Sequence, residues 1–177
     1  MKILIYIMPL LLIVYLICIT VDILKRSKGM KEAEIAGGVS FRHKYPEFVK
    51  ALWISILGIP LTGTVVFMEL YGRDVADLTL KNIGMISSLG TLTGFYVIGL
   101  IDWLVVYFKY NEFRLCNDCF YLGGHKYDCK KYRYTLEDNA VIFSAKHMVE
   151  MRITVPEKKR KEVLGILGKY YTKSENE

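Results

Sequence analysis

Residues that commonly carry out catalysis are scarce in this chain. It has 3 histidines among 177 residues, and His43, His125 and His147 are far apart in the sequence. It also lacks a glycine-rich phosphate loop, a recognisable Ser/His/Asp set and a His-Glu-x-x-His motif. Nucleophilic catalysis requires a nucleophile with a positioned partner, and no such pair is recognisable here. We therefore expect that the protein is not an enzyme.

Charged residues are nearly absent from three long stretches, at about residues 3–23, 51–71 and 83–108, each of which contains a single carboxylate. A helix of ~20 apolar residues crosses the hydrocarbon core of a bilayer. Because all three stretches reach that length, the sequence predicts three transmembrane helices within residues 1–109. No small-x-small cleavage site precedes the basic residues that begin at Lys25, so we expect the first stretch to remain as an anchor.

Lysine and arginine are concentrated in the first loop, residues 24–50, and in the tail after the third stretch. The second loop, residues 72–82, contains only Arg73 and Lys81. Basic residues are retained on the cytoplasmic side during insertion. The distribution predicts a multi-pass protein of the cell membrane with its N-terminus outside and its first loop and C-terminal tail in the cytoplasm.

Asp102 lies inside the third apolar stretch, near its cytoplasmic end. A charge within a transmembrane segment is costly, and it is usually paired or functional. If Asp102 has only a structural role, its carboxylate pairs with Lys25, Arg26 or Lys109 near the headgroups. If it has a functional role, the chain is an accessory subunit of a transporter. The size of the chain also suits an immunity-type protein.

The second apolar stretch contains small side chains suited to close helix packing, namely Ser55, Gly58, Thr62 and Gly63. Pro60 lies between them and removes one helix hydrogen bond. Transport would require more ionisable groups in the middle of the membrane. We therefore attribute this pattern to packing within a helical bundle.

From Asn111 onward the sequence changes to short strand-like runs separated by turn residues. Gly123-Gly124 is typical of a tight hairpin turn, and residues 137–139 are typical of a longer one. The six predicted runs are 113–116, 119–122, 125–129, 131–136, 140–145 and 148–154.

A helix is predicted after Val155-Pro156, because proline is favoured in the first helical turn. Its apolar stripe is formed by Val163, Leu164, Leu167, Tyr170 and Tyr171. Together the runs and the helix predict a small β-rich cytoplasmic domain over residues 110–172, capped by one helix. Residues 173–177 are predicted to be a disordered end.

The hairpin sequence FYLGGHKY, residues 120–127, has the aromatic-x-x-Gly-x-x-Tyr pattern of bacterial pleckstrin-homology-like tails. The pattern continues at residues 132–134, 139–143 and 153–156. On these motifs, the chain resembles an uncharacterised family of small multi-span bacterial membrane proteins that carry a C-terminal cytoplasmic pleckstrin-homology-like (PH-like) tail. Its members usually have Trp where this chain has Cys129. The resemblance implies binding of proteins or lipids rather than catalysis.

A zinc site is the main alternative for the tail. Cys116, Cys119, His125 and Cys129 are competent zinc ligands, and two of their spacers are each one residue off those of a zinc knuckle. A cytosolic location would keep the thiols reduced, which favours metal binding over disulfides. Strand alternation opposes the site unless a turn at residues 117–118 intervenes. Zinc is the one cofactor that the sequence indicates as an alternative; otherwise we expect none.

Lys158, Lys159, Arg160 and Lys161 form a basic run at the start of the terminal helix. Basic residues held near a bilayer are attracted to anionic headgroups, so we predict that this run contacts lipid or a partner. Helical spacing directs the four side chains to different sides of the helix. The leading prediction is a non-catalytic membrane protein whose tail docks or regulates a membrane partner, a second protein or another copy of the chain, aided by lipid. Nucleic acid is not an expected partner.

Overall fold

The structure is a computed structural model that describes residues 2–71, 80–146 and 148–174. Its residues form two compact units. The helical unit comprises Met1–Asp22 and Pro46–Tyr107, and the β unit comprises Ile23–Tyr45 and Phe108–Glu177.

Three long helices account for the apolar stretches of the sequence. They are α1 (Lys2–Ala36), α2 (Pro46–Tyr71) and α3 (Leu80–Lys109). Each is long and apolar enough to cross a membrane, so the prediction of three apolar helices is confirmed. The second predicted loop, residues 72–82, lies outside the described residues except for the start of α3.

Small residues pack α2 against α3 inside the helical unit. A Cβ atom on Gly58 would lie 2.7 Å from the ring of Tyr96. Thr93 Oγ1 donates a hydrogen bond to Thr62 Oγ1 at 2.7 Å, and Ser55 and Thr62 are buried. The expectation that the small residues of α2 serve helix packing is therefore consistent with these contacts.

The interval 24–50 was expected to be a loop, and the structure corrects this. Its first part continues α1, which at 35 residues is ~52 Å long and so exceeds the ~30 Å hydrocarbon core. The continuation is polar but rich in helix-forming Leu, Lys, Arg, Met and Glu. Gly37 and Gly38, with φ of +70° and +90°, end the helix, and Pro46 begins α2.

The same interval also supplies a strand, β1 (Val39–Arg42), which was not predicted. It pairs antiparallel with the first strand of the tail, with Val39 opposite Leu115 and Arg42 opposite Glu112. The first sheet has the order β1-β2-β3-β4. Its other strands are β2 (Glu112–Leu115), β3 (Cys119–Leu122) and β4 (His125–Asp128).

The chain connects the first sheet to α2 and α3 at one end of the sheet, which is called the entry end below. At the entry end, where Arg42 pairs with Glu112, β1 leaves toward α2 and β2 arrives from α3. The Gly123-Gly124 turn lies at the same end, and both glycines have positive φ, as a two-residue hairpin requires. At the far end, Cys119 pairs with Asp128.

The second sheet has the order β7-β6-β5-β8. Its strands are β5 (Arg133–Glu137), β6 (Ala140–Ser144), β7 (Met151–Thr154) and β8 (Thr172–Lys173). A short 3-10 helix, Cys129–Lys131, links the two sheets, and the capping helix α4 (Glu157–Tyr170) follows β7. All six predicted runs therefore contain a strand, and the predicted terminal helix is confirmed.

The core of the β unit lies where the two sheets and α4 meet. Phe120 stacks on Phe143 with ring centroids 4.3 Å apart, and Ile153 from β7 is fully buried beside them. From α4, Val163 and Leu167 join this cluster. Burial of these apolar side chains is the main stabilising contribution to the unit.

The end of the chain is more ordered than predicted. β8 pairs in parallel with β5, and the backbone N–H of Ser174 donates to Tyr134 O at 2.8 Å. The expected disorder of 173–177 is thus wrong at residues 173 and 174, because these backbone groups complete an otherwise open sheet edge. Residues 175–177 lie outside the described residues. The predicted domain 110–172 must also be enlarged by the segment Ile23–Tyr45.

Candidate functional site

The four predicted zinc ligands are not brought together in the β unit. Cys119 pairs with Asp128 at the far end of the first sheet, whereas His125 pairs with Leu122, three residues or ~10 Å away along the strand. Cys129 packs against a different apolar cluster from that of Cys116 and Cys119. Among the described residues, no group of three or more His, Cys, Asp and Glu side chains could hold a metal ion. Zinc binding stays a prediction that the register does not support.

The two buried thiols are poor nucleophiles. Burial raises the pKa of Cys119 to about 12, and burial also raises the pKa of Cys116. Nucleophilic attack requires the thiolate, which is disfavoured here. Cys116 Sγ instead donates to Gly37 O at 3.3 Å. These thiols are therefore packing groups that hold the end of α1 on the sheet.

The polar part of α1 is joined to the first sheet along its length. Arg26 Nη1 donates to Gly123 O at 3.0 Å near the entry end. Arg114 Nη1 donates to Ala33 O at 2.7 Å, and the Ala33 side chain is buried in the cluster that contains Cys116 and Cys119. Hydrogen bonds from a charged donor are stronger than neutral ones, so this joint is well fixed.

The predicted basic run does not form one surface. Lys159 Nζ pairs with Glu162 Oε2 at 3.0 Å. Arg160 lines a small cleft against the β5–β6 turn, while Lys158 and Lys161 are exposed. The helix therefore separates four cations that are contiguous in sequence, as its period requires.

Asp102 is half-buried in α3 of the helical unit. One turn earlier, at Gly99, a Cβ atom would lie 3.3 Å from the hydroxyl oxygen of Tyr15 in α1. Because residues three positions apart share a helix face, Asp102 belongs to the face of α3 that carries the contact with Tyr15. This is the placement expected for a polar group directed into a bundle rather than into lipid.

The β unit contains a basic cleft that the sequence did not reveal. It is lined by Lys131, Arg133, Ser144, Ala145 and Lys146, with a volume of about 480 Å³. Arg133 and Ser144 are cross-strand partners of β5 and β6, so their side chains lie on one face of the sheet. All three cations are exposed, and none forms an ion pair within the part of the chain that the structure describes.

A second cleft, of about 430 Å³, adjoins the first and shares Lys131 with it. Lys126, Tyr132 and Met148 are among its lining residues. Its one acidic lining residue, Asp128, accepts a hydrogen bond from the backbone N–H of Lys130 at 3.0 Å and so caps the 3-10 helix.

An apolar lip borders this surface in the β6–β7 connection. Met148 is 61% exposed and Val149 is 88% exposed. The hydroxyl of Tyr132 donates to Met148 Sδ at 3.0 Å, which ties the lip to the second cleft. The name basic cleft is used below for the surface formed by Lys126, Lys131, Arg133 and Lys146 with this lip.

Sequence reasoning missed the basic cleft because its cations are spread over residues 126–146 and no two of the four are consecutive. The sequence of β5 did contain a signal for the orientation of Arg133. Successive side chains of a strand point to opposite faces, and the exposed Arg133 precedes the buried Tyr134. Pairing β5 with β6 around the predicted turn would have placed Arg133 near Lys146.

No family model, curated protein or solved structure matches the chain.

Proposed function

We propose that the chain is a non-catalytic membrane protein whose β unit, in the cytoplasm, docks or regulates a membrane partner. Three apolar helices support the membrane location. The cytoplasmic placement is supported by the basic residues of the α1 continuation, by those of the β unit, and by the rule that such residues stay inside.

We also propose that the β unit is PH-like. A sheet of four antiparallel strands is followed by three antiparallel strands and then by one helix that covers the core. This order supports the proposal because it agrees with the short strands and the covering helix that the sequence predicted, with β1 supplied from between α1 and α2. Such a fold suits binding of proteins or lipids, although fold alone does not select the ligand.

The docking function is supported mainly by one observation: the β unit is built from two separate segments of the chain, Ile23–Tyr45 and Phe108–Glu177. Its first strand lies between two apolar helices, and its second strand follows the third apolar helix directly. A folded β unit is therefore always attached to the membrane by three chain connections. Confinement of the β unit and a membrane-bound partner to the same membrane would raise the effective concentration of each for the other.

Site-specific photo-crosslinking in native membranes tests this function. A photoreactive amino acid at Val149 or at Lys158, both exposed in the β unit, is expected to form a discrete adduct with one membrane protein. The matched control is the same amino acid at Leu61, which is 72% exposed on α2.

Two outcomes would contradict the proposal: no protein adduct from either β-unit position, or protein adducts from Leu61 alone. An adduct with twice the mass of the chain would identify the partner as a second copy. The proposal stands in that case, because docking between copies is one form of it.

A further inference from the structure

We propose that the basic cleft binds an acidic segment of a partner protein, one in which Asp or Glu residues flank an apolar side chain. The inference rests on the docking function proposed above and names the chemistry of its partner. Lys131, Arg133 and Lys146 form the cationic part, and Met148 and Val149 form the apolar part.

Charge complementarity is the first ground. The cations are exposed and free of ion pairs among the described residues, so a bound carboxylate would not have to displace an internal partner. Asp128, the one acidic residue lining either cleft, already caps the 3-10 helix. Arginine donates two parallel hydrogen bonds to a carboxylate, which gives geometric selectivity beyond simple attraction.

Size is the second ground. Two adjoining clefts of about 480 and 430 Å³ provide more room than a single small anion fills, and each falls in the ~300–1,000 Å³ range of binding sites. An extended peptide with acidic side chains in one cleft and an apolar side chain against Met148 would use both.

The test uses the full chain in nanodiscs of neutral lipid and a fluorescent peptide of alternating Glu and Ser with one central Leu. Fluorescence anisotropy is expected to show saturable binding that weakens with salt. A peptide with Gln in place of Glu is expected to bind at least about tenfold more weakly, a loss of ~1.4 kcal/mol.

Charge reversal by Lys131→Glu with Arg133→Glu is expected to weaken binding of the Glu peptide by about tenfold or more. Lys158→Glu with Lys161→Glu is the matched control, since it changes the net charge equally on α4 and is expected to leave binding within about twofold. Lys146→Glu, outside the strands, gives a second test that does not depend on the stability of β5. Thermal unfolding verifies that each variant is folded.

Equal loss in the α4 control, or no loss in either cleft variant, would overturn the inference, as would absence of binding to the Glu peptide. Anionic vesicles that displace the peptide at low lipid concentration would identify lipid as the ligand and overturn it too. Adducts that persist in the cleft variants in native membranes would reject the cleft while leaving the docking function intact.

Discussion

Gly29 in α1 packs directly on the backbone carbonyl of Gly124 in the β3–β4 turn, and no side chain fits between them. Gly124 has a φ of +82°, which favours glycine, and a Cβ atom there would contact the backbone of Arg26. Both residues must be glycine for α1 to reach the sheet. This contact fixes the continuation of the first apolar helix to the β unit.

Substitution of Gly29 by Ala is expected to destabilise the β unit by about 1–3 kcal/mol, because the added methyl group would force α1 away from the turn. The measurement is thermal unfolding of the full chain in detergent, followed by near-UV circular dichroism. Hydrogen exchange in residues 26–36 should accelerate as well.

Gly165→Ala is the matched control for Gly29→Ala. Gly165 lies within α4, and nothing approaches the position of its Cβ atom within 4 Å. Since Ala favours a helix interior over Gly, stability is expected to stay equal or to rise by ~0.5–1 kcal/mol. Similar losses in both variants would show that the Gly29 contact has no special importance.

The β unit is expected to fold without its apolar helices, and to be more stable when β1 and the α1 continuation are kept. Tyr45 Oη donates to Tyr110 O at 3.1 Å, so a short Gly/Ser linker can join residues 23–45 to residues 108–177. The linked chain should be soluble and unfold cooperatively. The segment 108–177 alone should be less stable, because it exposes the β2 edge and the apolar face that Ala33 and Val39 cover.

Circular dichroism melts and size-exclusion chromatography compare the two chains. Replacing Ala33 by Glu in the linked chain is expected to lower its stability toward that of segment 108–177, since Ala33 is 2% exposed. Equal stability of the linked chain and segment 108–177 would mean that β1 and the α1 continuation contribute nothing to the unit.

Local signals in the sequence predicted the tail well. The Gly123-Gly124 turn sets the register of β3 and β4, and the apolar positions of α4 follow the helical period. β1 was missed because it has four residues and its partner strand begins 70 residues after Arg42, at Glu112. The α1 continuation was missed because its polar sequence resembles a loop when judged by hydropathy alone, although its residues favour a helix.

In the candidate site, too, residues that are close in the sequence were predicted together, whereas residues brought together by strand pairing were missed. Lys158, Lys159, Arg160 and Lys161 were predicted together because they are contiguous, yet the helix separates them. Arg133 and Lys146 were not connected in the sequence, yet pairing of β5 with β6 brings both to the basic cleft. Sites assembled by strand register cannot be found from runs of like residues, because register depends on contacts between distant segments.

The orientation in the membrane is expected to place Asp77 outside and Lys158 inside. Asp77 falls outside the described residues, and Lys158 is exposed on α4. Single cysteines at these positions, in a chain with the native cysteines replaced, should react differently with an impermeant thiol reagent in intact cells. Asp77→Cys should be labelled, and Lys158→Cys should be labelled only after permeabilisation. Labelling of Lys158→Cys in intact cells would reverse the topology.

Stability of the β unit is expected to fall as pH rises above about 9. Burial raises the pKa of Cys119 from its ordinary value of 9.0 to about 12, and raises that of Tyr121 to about 12. Above pH 9 the unfolded chain releases protons that the folded unit retains. The stabilisation is therefore complete below the unfolded pKa and is lost progressively as pH approaches 12.

The check is the Tm of the linked chain between pH 8 and pH 11, with Cys119→Ala for comparison. The variant is expected to be less stable at pH 8, because a buried side chain is truncated, but its Tm should fall less steeply with pH. Burial also raises the pKa of Cys129, but this thiol is only half-buried, so Cys129→Ala is expected to change the pH profile less than Cys119→Ala does. Parallel pH profiles for the native chain and Cys119→Ala would show that the Cys119 thiol does not contribute to the alkaline loss.

Attraction of α4 to anionic lipid is expected to depend on Lys158, Arg160 and Lys161 but not on Lys159. Lys159 is already paired with Glu162, whereas the other three side chains are exposed. Each basic residue near an anionic surface contributes ~1 kcal/mol, and salt screens this over ~8 Å at physiological ionic strength. The linked chain should therefore bind anionic vesicles weakly and release them in high salt.

Replacing Lys158, Arg160 and Lys161 by Gln should weaken co-sedimentation of the linked chain with anionic vesicles by at least about tenfold. Lys159→Gln should change it less than about twofold. Equal binding to neutral and anionic vesicles would remove the lipid contact and leave protein docking as the remaining role of the β unit.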